Sequence, residues 1–334
     1  MKFLLIRFGA IGDVVLTTPV VRGLKKQLPL AEIHYLVKPQ YVPVIANNPF
    51  IDVIHQYRDR EVIMEQLIAQ KFDAVVDLQN DAESRILKNR LGIDSFTINK
   101  RNFLRFVFKR LKWNLMPDEH EVDRNMQTVA PLGVVNDGEG LDFFIPKQEE
   151  VTEKDIPASH HLGYIALVIG GSYFTKKMPV EKIQELCRAI HHPVMLLGGK
   201  EDFDAAYAIS QTDAIKIYNA CGKFSLNESA DLLKKSKLVI SHDTGLMHIA
   251  AALKKPVISI WGSTTPSFGM TPYYGSRFLE QNKNPFDNVQ VHRLWCRPCT
   301  DTGREECPQG HFKCMKKISV EEIVQLVNKR LGRS

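Results

Sequence analysis

Three short stretches, far apart in the chain, carry residues suited to handling a phosphate ester and a hydroxyl. The first is Asp243-Thr244-Gly245-Leu246-Met247-His248, where Leu238-Val239-Ile240 reads as a buried strand and Gly245 to Leu253 as a helix packed by its Ala-rich face. Asp243 and Thr244 are good helix-capping residues, and Gly245 lets a ligand approach the backbone. Unpaired amides at such a terminus favour anions. His248 falls one helical turn after Thr244, so its ring lies beside the same pocket. The second stretch is Phe8-Gly9-Ala10-Ile11-Gly12-Asp13, between an apolar strand, Lys2 to Arg7, and a helical run from Val14 to Leu28. Asp13 there lies near a helix N-terminus at the carboxyl end of a strand, where open α/β sheets bind ligands. The spacing is Gly-x-x-Gly-Asp, neither the dinucleotide fingerprint nor a P-loop. The third is Gly170-Gly171-Ser172-Tyr173-Phe174-Thr175-Lys176-Lys177-Met178-Pro179, whose small residues permit close backbone approach and whose Lys176 or Lys177 can neutralise a diphosphate leaving group.

Asp13 is a candidate general base for a docked hydroxyl, or only a cap on the first helix. The lysine pair is either a diphosphate clamp or a solvated loop. A phosphate site on one side of a cleft and a carboxylate on the other are what transfer from an activated phosphate ester to a hydroxyl requires.

The elements that must position these residues alternate strand and helix, as parallel sheets demand. Strands are expected at Lys2 to Arg7, Glu32 to Val37, Val53 to Tyr57, Ala74 to Leu78 and Phe96 to Asn99, with a helix over Arg60 to Ala69. A second series follows at Tyr164 to Ile169, Pro193 to Leu197, Ile215 to Asn219, Leu238 to Ser241 and Val257 to Trp261. Between them Gly133 to His161 is rich in charge and turn formers. The economical architecture is α/β: two doubly wound, Rossmann-like domains, residues 1–157 and 158–334, facing one another across a cleft. The last helix, Val320 to Leu331, is free to pack on either half.

The 334 residues, 44% of them hydrophobic, supply two ordinary cores. Apolar runs are broken by Asp243, His248, Lys254 and Lys255, which argues against a membrane-spanning helix. The start reads as a strand rather than a signal peptide, so a cytosolic enzyme is expected. A net charge of +6 suggests an acidic partner without indicating nucleic acid. Arg101, Arg105, Lys109 and Lys112 fall on one helical face, with Phe103, Phe106, Val107, Leu111 and Trp113 elsewhere. That is the pattern of a basic amphipathic helix at an anionic membrane surface, or of a helix packed on the first domain with its basic side wet. Cys296-x-x-Cys299, Cys307 and Cys314 have the composition of a four-coordinate zinc site, but the second pair is separated by six residues, so a structural clip or reduced thiols fit equally. Asp202-Phe203-Asp204 is read as helix capping rather than as a cation site.

Taken together, Arg7-Phe8-Gly9-Ala10-Ile11-Gly12-Asp13, Lys176-Lys177-Met178-Pro179, the Asp243 to His248 run and the Cys-rich tail resemble the ADP-heptose:lipopolysaccharide heptosyltransferases, glycosyltransferase family nine, in the same order over nearly the whole chain. The resemblance implies a GT-B fold and inverting, metal-independent transfer of a heptose from ADP-heptose to a hydroxyl of the lipopolysaccharide inner core. It implies no cofactor beyond the donor, and a cytoplasmic enzyme peripheral at the inner face of the inner membrane. Its partners would be a nucleotide sugar and an acidic lipid-linked glycan, not nucleic acid. By position Asp13 matches the acceptor-activating carboxylate and Lys176 the lysine near the donor phosphates. Asp243, Thr244, Gly245 and His248 match the donor-binding run, joined by Gly171 and by Glu201 or Asp202 at the ribose. Arg7, Gly12, Arg105 and Lys109 fall on the acceptor side. Met178 stands where the family often has Trp, and Gly9-Ala10 replaces a serine common in the first loop. A transferase using another nucleotide sugar for a different surface glycan is the alternative. A zinc-containing nucleic-acid-binding protein is a further one, which leaves Asp13 and Asp243 without a purpose.

Overall fold

A computed structural model describes residues 1–282 and 284–332. The first sheet contains β1 (Lys2–Ile6), β2 (Glu32–Val37), β3 (Val53–Gln56), β4 (Ala74–Asp77) and β5 (Asp94–Thr97), all parallel, in the order β3-β2-β1-β4-β5. The second contains β6 (Ile165–Val168), β7 (Val194–Leu197), β8 (Ile217–Asn219), β9 (Leu238–His242), β10 (Val257–Trp261) and β11 (Phe286–Gln290), again parallel, in the order β11-β10-β9-β6-β7-β8. Each order reverses direction beside its first strand. A crevice therefore opens at the carboxyl ends of β1 and β4 in one sheet, and of β6 and β9 in the other.

The connections include α1 (Ile11–Val15), α2 (Thr18–Gln27), α3 (Arg60–Ala69), α4 (Ala82–Leu91), α5 (Asn102–Leu111) and α6 (Glu121–Gln127). In the second half run α7 (Val180–Ala189), α8 (Phe203–Ser210), α9 (Leu226–Lys235), α10 (Gly245–Ala252), α11 (Ser276–Gln281), α12 (Lys313–Lys316) and α13 (Val320–Arg330). Side chains alternate across each strand, so each sheet feeds two cores. Leu4 and Ile6 pack with Ile63, Met64 and Leu67 of α3 and Leu87 of α4. Ile165 and Leu167 pack with Ile183 and Leu186 of α7, Ile209 of α8 and Ile323 of α13. The remaining faces, Phe3 and Leu5 in one sheet and Ala166 and Val168 in the other, belong to a single apolar cluster that runs from one sheet to the other.

Two expectations need correction, and one left open is decided. The helix read as Val14 to Leu28 is two helices, because Pro19 has no N–H to give and sits in the first turn of α2. The Thr17 and Thr18 hydroxyls donate to the Val14 and Val15 carbonyls that the break releases, at 2.7 and 2.8 Å. The second sheet has a sixth strand, β11, which the sequence reading omitted: it is an edge strand, mostly half-buried, whose Asp287 and Asn288 dilute the apolar signal. Finally, α13 does not return to the first sheet. Its buried residues Val320, Ile323 and Val327 complete the second domain's core.

Candidate active site

Asp13 occupies the first turn of α1, just past the carboxyl end of β1. Its Oδ2 accepts the Ala10 N–H at 3.1 Å and pairs with Arg7 Nη2 at 2.8 Å, while Oδ1 takes no protein hydrogen bond among the described residues. Capping and availability for chemistry therefore coexist in one carboxylate. Arg7 is buried, and its Nη1 donates to the Leu78 carbonyl at the end of β4 at 2.6 Å. The guanidinium is thus anchored to the sheet and presents one edge to Asp13. Burial pushes the Asp13 carboxyl up, but the Arg7 charge and hydrogen bond and the Ala10 amide outweigh it, holding it below the usual carboxylate range.

Across the crevice, Thr244 stands at the N-cap position of α10, yet its side chain caps nothing; its hydroxyl instead shares a 3.2 Å hydrogen bond with Ser241. Asp243 does not cap either. Its Oδ2 pairs with Lys176 Nζ at 2.8 Å and accepts the Thr264 hydroxyl at 2.8 Å. The α10 terminus thus keeps the amide-donor character that suits an anion. Gly171 adjoins Thr244: a Cβ built on it would stand 3.5 Å from the Thr244 methyl. Lys177 turns the other way, to Asp202 at 3.1 Å, and Asp202 Oδ2 accepts the Gly199 N–H at 3.0 Å, the capping role expected of it. Glu201 lies exposed on the turn after β7, on the same sheet rim.

What joins the two halves is the contact of α1 with α10. A Cβ on Gly12 would come within 2.6 Å of His248 Cδ2, and one on Gly245 within 2.6 Å of Ile11 and 3.2 Å of the Gly12 amide. Only glycine at both positions lets the two first turns meet. His248 is buried in this contact, and its Nδ1 has no partner among the described residues. Burial pushes its imidazole down to about 4, against the opposing pull of Asp243 and Asp13, so it is neutral at pH 7. Gly12 adjoins Asp13 and Gly245 closely follows Asp243, so the contact brings the chain beside Asp13 against the chain beside the Lys176–Asp243 pair.

The remaining sequence candidates behave differently. Arg105 pairs with Glu121 at 3.0 Å, Lys109 with Asp301 at 3.1 Å, and Lys112 Nζ donates to the Cys296 and Pro298 carbonyls at 3.1 and 2.8 Å. The basic face of α5 is therefore turned toward the protein, reversing the expected orientation. Part of its apolar side is outermost, with Phe103 at 74%, Phe106 at 56% and the following Trp113 at 64% exposure, while Val107 and Phe108 are buried. Sequence reasoning overlooked Lys100, which follows β5. Burial and the Arg7 charge lower its pKa while Asp13 opposes them, and no carboxylate pairs with it among the described residues. Its position just past a strand's carboxyl end was the available signal. Glu121 was also missed. It is buried among Arg124, Arg105 and Arg7, and these cations hold its carboxyl down against burial.

Two facing Rossmann-like domains with a site at their junction have the architecture of the GT-B glycosyltransferases. Residues 60–302 match the model of glycosyltransferase family 9 (heptosyltransferase), and the chain belongs to that family. It is 26% identical to lipopolysaccharide heptosyltransferase 1 of Campylobacter coli over 99% of both chains. It is also 26% identical to lipopolysaccharide heptosyltransferase 3 of Escherichia coli, over 77% of this chain and 82% of that one. Among solved structures, a family 9 glycosyl transferase of Veillonella parvula covers 100% of this chain and 98% of its own, with a TM-score of 0.77 at 18% identity. ADP-heptose heptosyltransferase II of E. coli superposes with a TM-score of 0.72 at 17% identity, covering 100% and 99%. These two likenesses establish the fold.

Three buried imidazoles, His55, His242 and His248, and the half-buried His120 are each pushed down to about 4, chiefly by desolvation. The unfolded chain takes up these protons first, near the ordinary value of 6.5, so stability is full above that pH and is lost as the pH falls toward 4. The thermal midpoint is expected to be lower at pH 5 than at pH 7. His120 Nδ1 accepts the Val122 N–H at the start of α6. His120→Asn, which keeps an acceptor there but cannot protonate, is expected to flatten part of that slope.

Proposed function

We propose that the enzyme moves a heptose from ADP-heptose to a hydroxyl of the lipopolysaccharide inner core by a single, inverting, metal-independent displacement. Residues 1–157 form the acceptor side and 158–334 the donor side. The observation that carries this reading is the contact of α1 with α10, which sets Gly12, next to Asp13, against His248, and Gly245, two residues after the Asp243 that pairs with Lys176, against Ile11. Asp13 takes the proton of the acceptor hydroxyl as that oxygen attacks the anomeric carbon. The bond from this carbon to the diphosphate oxygen breaks through a transition state resembling a sugar cation, and its electron pair leaves with ADP. Lys176 and the first-turn amides of α10 stabilise the charge gathering on the diphosphate. They supply the cationic field that a divalent ion supplies in other sugar transferases, which supports the metal-independent reading. Asp243 holds Lys176 in place, and Gly171 admits the phosphates to the backbone. Glu201 stands where a ribose hydroxyl is within reach.

On the acceptor side, Arg7 aims Asp13 and Gly12 lets His248 and α10 close against the first turn of α1. Lys100 is the cation left for an acidic group of the acceptor, since Arg105 and Lys109 are held in ion pairs with Glu121 and Asp301. Among the described residues no helix is long and apolar enough to cross a membrane. The outward side of α5 suits peripheral docking at the inner face of the inner membrane: aromatic side chains enter the headgroup boundary while Arg110, exposed on the same helix, meets anionic lipid.

Asp13→Asn is expected to lower turnover by about 10²–10⁴-fold while ADP affinity, read by calorimetry, stays within a small factor; wild-type turnover would remove Asp13 from the mechanism. In a thermal-shift series ADP is expected to raise the melting temperature more than UDP or GDP at equal concentration, and a larger response to UDP would point to another donor. Phe106→Asp and Trp113→Asp are expected to reduce co-sedimentation with anionic vesicles without changing transfer to a water-soluble acceptor. Undiminished sedimentation would place the membrane contact elsewhere.

A further inference from the structure

The run 291–312 connects β11 to α12 with neither helix nor strand. Connections beyond about 12–15 residues without regular structure are uncommon in compact domains, and this one must hold its shape without a backbone ladder. It carries Cys296, Cys299 and Cys307, and Cys314 follows within α12. The four cysteines and His311 line one small cavity of about 10 Å³, room for a single atom-sized occupant and far too little for a nucleotide. The other two cysteines, Cys187 and Cys221, are buried in strand and helix packing away from this wall.

We propose that Cys296, Cys299, Cys307 and Cys314 form a tetrathiolate site for one structural transition ion of the zinc or iron class. Four sulfurs around an ion-sized space are the donor set that selects these metals. The environment has the complementary charge. A divalent ion with four thiolates carries a net −2, and Arg297, on the cavity wall, has no carboxylate partner among the described residues; its guanidinium donates only to the carbonyls of Gly262, Thr264 and Val291 at 2.6 to 3.3 Å. Lys112 lies close by through its bonds to the Cys296 and Pro298 carbonyls. His311 fits an outer role. Its Nδ1 accepts the Lys313 N–H at 3.0 Å, which puts the ring proton on Nε2, 3.7 Å from Cys296 Sγ, as an N–H donor to a thiolate rather than a fifth ligand.

Among the described residues no three donors already stand at coordination spacing. Binding must draw the sulfurs to about 2.3 Å from the ion and release the four thiol protons to solvent. Three of the four cysteines lie on irregular backbone, which can close onto Cys314 held in α12 without breaking a helix or strand. The ion would also brace the active site. Thr175, next to Lys176, exchanges hydrogen bonds with the backbone of Arg304 in this segment at 2.8 to 3.1 Å, and Asp301 holds Lys109 of α5. This last consequence rests on the role given to Lys176 above; the metal site does not.

Elemental analysis of the full chain purified without a polyhistidine tag is expected to find one zinc or iron per protein, iron being told from zinc by its visible thiolate charge-transfer absorption. Cys299→Ser and Cys314→Ser should lose the ion, whereas Cys187→Ala should keep it. Since a ligand variant can fail to fold, the wild-type protein is also titrated with a mercurial, which should release the ion as four thiols react. Metal-free protein that does not load with added zinc or ferrous ion, metal retained by both serine variants, or an intact mass showing two disulfides would overturn the proposal. None of these outcomes depends on transferase activity, so the site can fail while the proposed reaction stands.

Discussion

The structure turns on the direct contact between the first turns of α1 and α10, where Gly12 and Gly245 replace side chains with backbone proximity. A methyl group at either position would overlap His248 or Ile11 and push the two domains apart. Because each first turn follows the carboxyl end of an inner strand, the contact superimposes the two sheet crevices. The apolar cluster that runs from one sheet to the other fixes that alignment with hydrophobic burial rather than with a hinge alone. Everything at the site follows from it. Asp13 belongs to one sheet, Lys176 and Asp243 to the other, and His248 lies where their fields meet.

Within that junction orientation is favoured over intrinsic basicity. Arg7, itself tied to the end of β4, holds Asp13 at a set angle but lowers its proton affinity. A free carboxylate would be the stronger base and the poorer aim. In the proposed displacement, whose transition state would resemble a sugar cation, the electrophile would already be activated, so a well-placed weak base would serve. The Lys176–Asp243 pair obeys the same logic on the other side: the ammonium is kept in position beside a helix terminus by a carboxylate that is itself held by Thr264.

Charges that look like a binding surface along one helix can be structural in three dimensions. The Arg105, Lys109 and Lys112 side chains of the α5 region are consumed by Glu121, Asp301 and two carbonyls of the cysteine-rich segment. The Lys109 and Lys112 contacts stitch the first domain to residues near the end of the second, while Arg105 pairs within the first. An amphipathic pattern states that a helix has two faces but not which one is inward; that choice depends on partners supplied by distant parts of the chain. Here buried and half-buried carboxylates outcompeted water for the basic face and left Phe103, Phe106 and Trp113 outside.

Strand and helix periodicity, the carboxyl-end positions of Asp13, Lys176 and Asp243, and the family resemblance were all legible in the chain, because each is written in neighbouring residues and their spacing. The two parallel sheets followed from that pattern, and family membership bears out the resemblance. Edge strand β11 was not legible, since half-exposed edges dilute apolar alternation; nor was the division at Pro19, whose ring is compatible with a helix start as well as a helix interrupted. Which partner each group takes lay beyond any local reading: Asp243 with Lys176 instead of a cap, Arg7 anchored on Leu78, α13 on the second sheet, Lys100 without a carboxylate among the described residues. Those outcomes depend on electrostatic and steric contacts between residues tens to hundreds of positions apart, and such contacts exist only once the two sheets have been brought together.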